Sequence, residues 1–257
     1  MDLNMPVYFK ERMNKFIKSQ VKSNLDEQRS YSSHSYRCSK CRDLTFILND
    51  NEAIPCECRE ILISEQILKN SGISEGYRNK TFKNFNYAYD MQILDAFNSA
   101  RSYVKDFKGI KNSRNNSIIF MGQVGSGKTH LCLAIANNFM KYGVGVVYMS
   151  YRDSIIQIKQ NIMDGEAYNR IIHKYKNASV LLIDDLFKGS ISTSDINIMF
   201  EIINHRYFNN KPIIVSSEKY VQDLLNIDES VGSRILEMCK GRVVELKGKM
   251  LNHRIYG

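Results

Sequence analysis

A chain of 257 residues with 43 % hydrophobic content is long enough for one medium α/β domain plus a small appendage, and apolar enough to bury a real core. The net charge of +9 suits a nucleic-acid or acidic protein partner, although solvated faces are often basic too, and no apolar run reaches the length of a membrane span. The first residues lack the charged and apolar regions of a signal peptide, so a cytoplasmic protein is expected, in a reducing compartment where six cysteines argue against a disulfide framework.

Residues 1–30 read as a basic, partly amphipathic arm, with Phe9, Met13, Phe16 and Ile17 available for one face. Next come Cys38-Ser39-Lys40-Cys41 and Cys56-Glu57-Cys58, a C-x-x-C followed by a C-x-C across a loop of about fourteen residues. Four thiolates so spaced can close tetrahedrally on one Zn²⁺, each pair forming a tight knuckle, and such a site folds a segment too small to bury its own core. Free thiols or an accidental cluster are the alternatives. His34 lies close enough to compete as a ligand, but a complete cysteine set leaves it as a surface residue. Residues 71–81 are the best linker, which divides the chain into 1–75 and 76–257.

The stretch 91–107 has helical periodicity, and 109–116 reads as the loop feeding the first strand. From about residue 115 short apolar runs alternate with helical patterns. Strands are expected at 117–121, 144–149, 179–183, 212–216 and 242–246, each separated by room for a crossover helix. That order argues for a five-stranded parallel sheet flanked by helices on both faces. The clearest crossover is 193–208, with Thr193 or Ser194 as its N-cap.

Directly after the first strand stands Gly122-Gln123-Val124-Gly125-Ser126-Gly127-Lys128-Thr129, which fits G-x-x-x-x-G-K-[ST], and an apolar-faced helix follows. Glycines let successive N–H groups point inward at phosphate oxygens, Lys128 adds a charge and Thr129 offers a hydroxyl to Mg²⁺. The helix N-terminus adds free amides and the positive dipole end. Candidate nucleotide contacts therefore run from Gly122 to His130. The strand at 179–183 ends in Asp184-Asp185 at the same sheet edge: Asp184 is the expected Mg²⁺ partner, and Asp185 sits where many such ATPases place a Glu that orients the attacking water. After the next strand, Ser216-Ser217-Glu218 offers polar groups where a γ-phosphate sensor is needed. Glu218 adds unwanted negative charge there, so Ser217 or Ser216 does the polar work while Glu218 turns toward a neighbouring cation. Tyr77, Phe82, Phe85 and Tyr87 either cover an adenine ring or pack in the core. Cys132 and Cys239 read as small core residues.

These motifs, with Leu182-Ile183-Asp184-Asp185-Leu186, Ile203-Asn204-His205-Arg206-Tyr207, Lys211-Pro212-Ile213-Ile214-Val215-Ser216-Ser217-Glu218 and Gly232-Ser233-Arg234-Ile235, resemble the AAA+ ATPases of the DnaC/DnaI helicase-loader family over residues 36–257. The resemblance implies ATP as ligand, the AAA+ strand order, a hexameric replicative DNA helicase as partner and single-stranded DNA as the track onto which it is loaded. It makes Arg234 an arginine finger acting on the γ-phosphate of a neighbouring subunit, leaves Arg206 as an interface arginine or a packed stem, and strengthens the zinc reading as a helicase-docking module. The family often carries Asn where Glu218 stands. The strand at 242–246 is followed by too few residues for a helical lid, so hydrolysis by an isolated subunit is expected to be slow. Alternative readings are an IstB-type transposition helper ATPase and a nucleotide-gated adaptor with little turnover.

Overall fold

The computed structural model describes residues 36, 38–49, 52–56, 58–59 and 72–256, so the arm at 1–30 and His34 lie outside the described residues. The chain divides into two compact units, 1–56 and 57–257.

In the smaller unit, β1 (Phe46–Asn49) and β2 (Glu52–Pro55) pair antiparallel, with Phe46 opposite Pro55 and Asn49 opposite Glu52. The stretch between the two cysteine pairs is therefore a hairpin rather than a plain loop. Strands of four residues are too short for alternation to announce them. Backbone bonds fasten its base: the Leu44 N–H donates to the Cys41 carbonyl at 3.0 Å and the Cys56 N–H to that of Thr45 at 2.9 Å.

In the larger unit, α1 (Glu75–Arg78) and α2 (Met91–Ile110) precede the sheet, the latter capped by Asp90, whose carboxylate accepts from the Gln92 N–H at 2.7 Å. Then β3 (Ile118–Gly122), α3 (Lys128–Lys141), β4 (Val146–Ser150), α4 (Tyr151–Gln160), α5 (Gly165–Asn177), β5 (Val180–Asp184), α6 (Thr193–Phe208) and β6 (Ile213–Ser217) follow. The described chain closes with α7 (Val221–Ile227), α8 (Glu229–Met238), β7 (Val243–Leu246) and α9 (His253–Tyr256). The cap of α6 is Ser192, not Thr193 or Ser194: the Ser192 hydroxyl accepts from the Asp195 N–H while the Asp195 carboxylate accepts from the Ser192 N–H, a capping box that fixes the start one residue earlier.

The five strands of this unit lie in the order β4-β5-β6-β3-β7, and all four pairings are parallel. Every residue of β3, β5 and β6 is buried, which is why these strands read as unbroken apolar runs. Alternate side chains go to opposite faces: Ile118, Phe120, Leu182 and Ile214 pack with α2 and α3, whereas Ile119, Met121, Leu181, Ile183, Ile213 and Val215 pack with α4, α5, α6 and α8. From β3 the chain crosses to the far edge at β4 and works back through β5 and β6. The β3 strand end therefore sits where connections diverge, the place in such sheets where ligands bind. Among the described residues no helix is long and apolar enough to cross a membrane.

Candidate functional site

The phosphate-type loop leaves the C-terminal end of β3 with Gly122, Gly125 and Gly127 all at positive φ. All three are also steric necessities: a Cβ on Gly122 would lie 2.4 Å from the Leu246 carbonyl oxygen. A Cβ on Gly125 would lie 2.0 Å from Asn252 Oδ1, and one on Gly127 would lie 2.7 Å from the Phe85 ring. The loop is thus clasped from two sides. On one, the His253 N–H donates to the Gly125 carbonyl at 3.1 Å and His253 stacks on Tyr89. On the other, His130 Nε2 lies 3.0 Å from the Thr81 carbonyl and 3.2 Å from Asn84 Oδ1, so the residue expected among the nucleotide contacts ties the 81–85 segment to α3. Phe82, Phe85 and Tyr87 all pack on Phe97 of α2, and Tyr77 meets Tyr148 edge-on.

Lys128 is buried, and its ammonium donates to the loop's own carbonyls, Gly122 at 2.8 Å and Gln123 at 2.5 Å. Burial pulls its pKa down to about 8, against the opposing pull of the Glu218 and Asp185 carboxylates. Ser126 donates to the Gln123 carbonyl at 2.7 Å, and half-exposed Val124 forms the loop's outer turn.

Thr129 and Asp184 meet directly, the hydroxyl donating to Oδ1 at 2.8 Å. The same carboxylate accepts from Ser216 Oγ at 2.5 Å and, through Oδ2, from the Tyr148 hydroxyl at 3.0 Å. Desolvation first, and then the Asp184 charge, push that phenol well above its ordinary range, so it stays a donor. A buried carboxylate with three hydroxyl donors beside a phosphate-type loop has the oxygen chemistry for Mg²⁺. Asp185 stands at φ +57°, its N–H donating to Ser216 Oγ at 2.9 Å. Lys188 bridges the remaining acids, 2.8 Å from Asp185 and 2.9 Å from Glu218. Glu218 accordingly faces a cation, and Ser216 is the serine that joins the carboxylate network. The Ser217 hydroxyl is buried at the end of β6, donating to the Leu186 carbonyl just after β5 at 2.8 Å and accepting from the Lys219 N–H.

The two arginines part company. Arg206 is fully buried and donates to the carbonyls of Tyr175, Lys176, Ala178 and Pro212, which tie off the end of α5 and the entry to β6. It is therefore no interface residue. Burial pulls its pKa down to about 9, leaving it charged at neutral pH. Arg234 is half-buried on the surface of α8, over the rings of Phe200 and Tyr207.

In the cysteine motif, the Sγ atoms of Cys38, Cys41, Cys56 and Cys58 all lie within 4.8 Å of one another. Cys38 and Cys56 are 3.8 Å apart. Tetrahedral Zn–S bonds of ~2.3 Å place sulfurs about 3.8 Å from one another, so the four residues fit that ion.

Residues 28–253 match the family model described as IstB-like ATP binding protein. The chain belongs to the IstB/DnaC-type AAA+ family. It is 37 % identical over 235 residues to the phage-like element PBSX protein XkdC of Bacillus subtilis strain 168, covering 86 % of this chain and 87 % of that one. The replicative helicase loader DnaC of Escherichia coli K12 is 24 % identical over 174 residues, covering 67 % of this chain and 68 % of DnaC. A solved DnaC helicase loader superposes with TM-score 0.58 at 21 % identity, over 68 % of this chain and all of that one. This last likeness concerns the fold, an AAA+ parallel sheet in the order described above.

Within this AAA+ site, sequence reasoning missed Tyr148, Lys188 and the clasp by Asn252 and His253. Tyr148 had a faint signal, since a polar ring near the end of β4 lies one strand from Asp184. The clasp had none, because its residues lie more than a hundred positions from the loop.

Proposed function

We propose that this AAA+ chain is an ATP-dependent loader of a hexameric replicative DNA helicase onto single-stranded DNA, switched by self-association that presents Arg234 to the nucleotide of a neighbouring copy. Residues 122–130 would hold ATP, Thr129 and Asp184 would hold the Mg²⁺ that offsets phosphate charge, and Asp185 would orient water for hydrolysis to ADP and phosphate. Ser216 steadies both acids. The zinc-holding segment within 1–75 docks on the helicase, and basic side chains follow the DNA backbone in a salt-sensitive, sequence-tolerant manner.

The observation that carries this reading is the separation of two halves of one chemistry. Thr129, Asp184 and Ser216 gather at the C-terminal ends of β3, β5 and β6. Arg234 lies over the ring of Tyr207, which also carries Arg114, only four residues ahead of β3 at its opposite end. A five-residue strand spans roughly 16 Å. An arginine on that side serves a neighbour's triphosphate better than its own.

The test is a pull-down of the cell's replicative helicase by the full chain, with and without ATP. Nucleotide-dependent capture is expected. Capture of a transposase instead, with no helicase retained, would move the assignment to the IstB-type helper. Helicase loading that survives loss of hydrolysis but not of ATP binding would identify a nucleotide-gated adaptor.

A further inference from the structure

We propose that Phe200 and Tyr207 are positioning residues for Arg234, an aromatic platform that holds its guanidinium ready for the triphosphate of a second copy of this chain. The inference rests on the reading that Arg234 acts between copies.

Phe200 and Tyr207 stand seven residues apart on α6, two helical turns along one face. The Arg234 Cζ lies 5.3 Å from the centre of the first ring and 5.6 Å from that of the second. Tyr207 is itself pinned from several directions. Its hydroxyl donates to Glu237 at 2.7 Å, Arg114 lies 3.9 Å over its ring, and Arg114 Nη1 donates to its carbonyl. Glu237 is one turn beyond Arg234 on α8, so the helix that carries the arginine also anchors the ring beneath it. Phe200 has no polar handle and stays 37 % exposed.

The donors of Arg234 are largely unspent. Nη1 donates to the Ser230 carbonyl at 2.7 Å, while Nε is shielded from water and has no hydrogen-bond partner among the described residues. A shielded donor without a partner is costly unless a ligand completes it. Cation–π contact with two rings holds a guanidinium by its charge and leaves N–H groups for a planar or tetrahedral anion, a task lysine cannot share. The rings also restrict the long side chain before the partner arrives, which lowers the entropy lost on engagement.

The test measures steady-state ATP hydrolysis by the full chain over a range of protein concentrations. Phe200→Leu keeps apolar bulk but removes the π face. It is expected to lower kcat about tenfold, with KM for ATP and thermal unfolding unchanged, and Phe200→Tyr is expected to restore the rate. Excess Lys128→Ala chain, which turns over no ATP but keeps platform and arginine, is expected to rescue Phe200→Leu, because the defect lies on the donating side. Should Phe200→Leu unfold, Tyr207→Leu takes its place in the same comparison. Wild-type turnover in Phe200→Leu, beside a collapsed rate in Arg234→Ala, would overturn the platform and leave the arginine reading standing. A loss that Lys128→Ala cannot rescue would place Phe200 in its own subunit's chemistry and overturn the proposal too. Full turnover in Arg234→Ala, or none in the wild-type chain at any concentration, would sink both readings.

Discussion

The phosphate edge of the sheet and its arginine face are built by opposite rules. At the phosphate edge, one continuous loop and the last residues of neighbouring strands supply nearly every group, and parallel register brings them together: Phe120 lies opposite Ser216 and Ser150 opposite Asp184. At the arginine face, the groups come from the loop before β3, from the middle and end of α6 and from α8, and they meet only because helices pack. A site made of strand ends inherits its geometry from the sheet. One made of helix faces depends on how those helices dock.

The largest effect that sharpens this contrast is expected from Lys128→Ala, which removes the ammonium from the loop and should weaken ATP binding on the order of 100-fold, measured by titration with a fluorescent ATP analogue. Retained affinity would break the assignment of the phosphate edge. On the other side, Arg206→Ala strips four carbonyls of their donor and should cost about 3 kcal/mol of stability in denaturant unfolding, whereas Arg234→Ala should leave the midpoint unmoved while lowering turnover. Equal destabilisation by both would make Arg234 an ordinary surface prop. Within the phosphate edge, Ser216→Ala should raise the Mg²⁺ requirement of turnover about tenfold, since it removes a donor from Asp184, while Ser217→Ala should spare it. Equal effects would show that the turn after β6, rather than the carboxylate network, is what the serines serve.

In the smaller unit, Cys41→Ser should abolish zinc retention by the purified chain without shifting the main unfolding transition of the larger unit. A single shared transition would argue that the units fold together.

The smallest expected effect concerns the packing of α5 on α6. Burial alone would raise the Glu201 carboxyl, but Lys176 at 2.6 Å and the Tyr168 hydroxyl at 2.6 Å outweigh it and hold it below its ordinary 4.5. A carboxyl held low contributes stability that is present above the unfolded value and lost as pH falls through the folded one. Glu201→Gln should therefore flatten the acid limb of stability below pH 4.5, read from denaturant midpoints across that range.

How much could be read beforehand follows the same division. The five strands of the main sheet were legible to within two residues, three of them because strands buried on both faces must be apolar throughout, and the half-buried edge strands β4 and β7 because they keep short apolar runs. The phosphate loop was legible because its glycines, lysine and threonine are consecutive. Ser216 and Ser217 were not separable, since adjacent residues on a strand face opposite ways and only the placement of β5 beside β6 decides which one meets Asp184. Arg206 left two readings open until its burial settled them.

What the sequence determined by itself is the nucleotide loop, the acidic strand end, the parallel sheet and the spacing of four thiols, all encoded locally where neighbours in the chain are neighbours in space. Tertiary structure alone decided that Asn252 and His253 clasp the loop, that Tyr148 and Ser216 share the Asp184 carboxylate, and that Arg234 lies over Phe200 and Tyr207. Those contacts join residues many positions apart, and no periodicity along a chain records which helix face will meet which strand end.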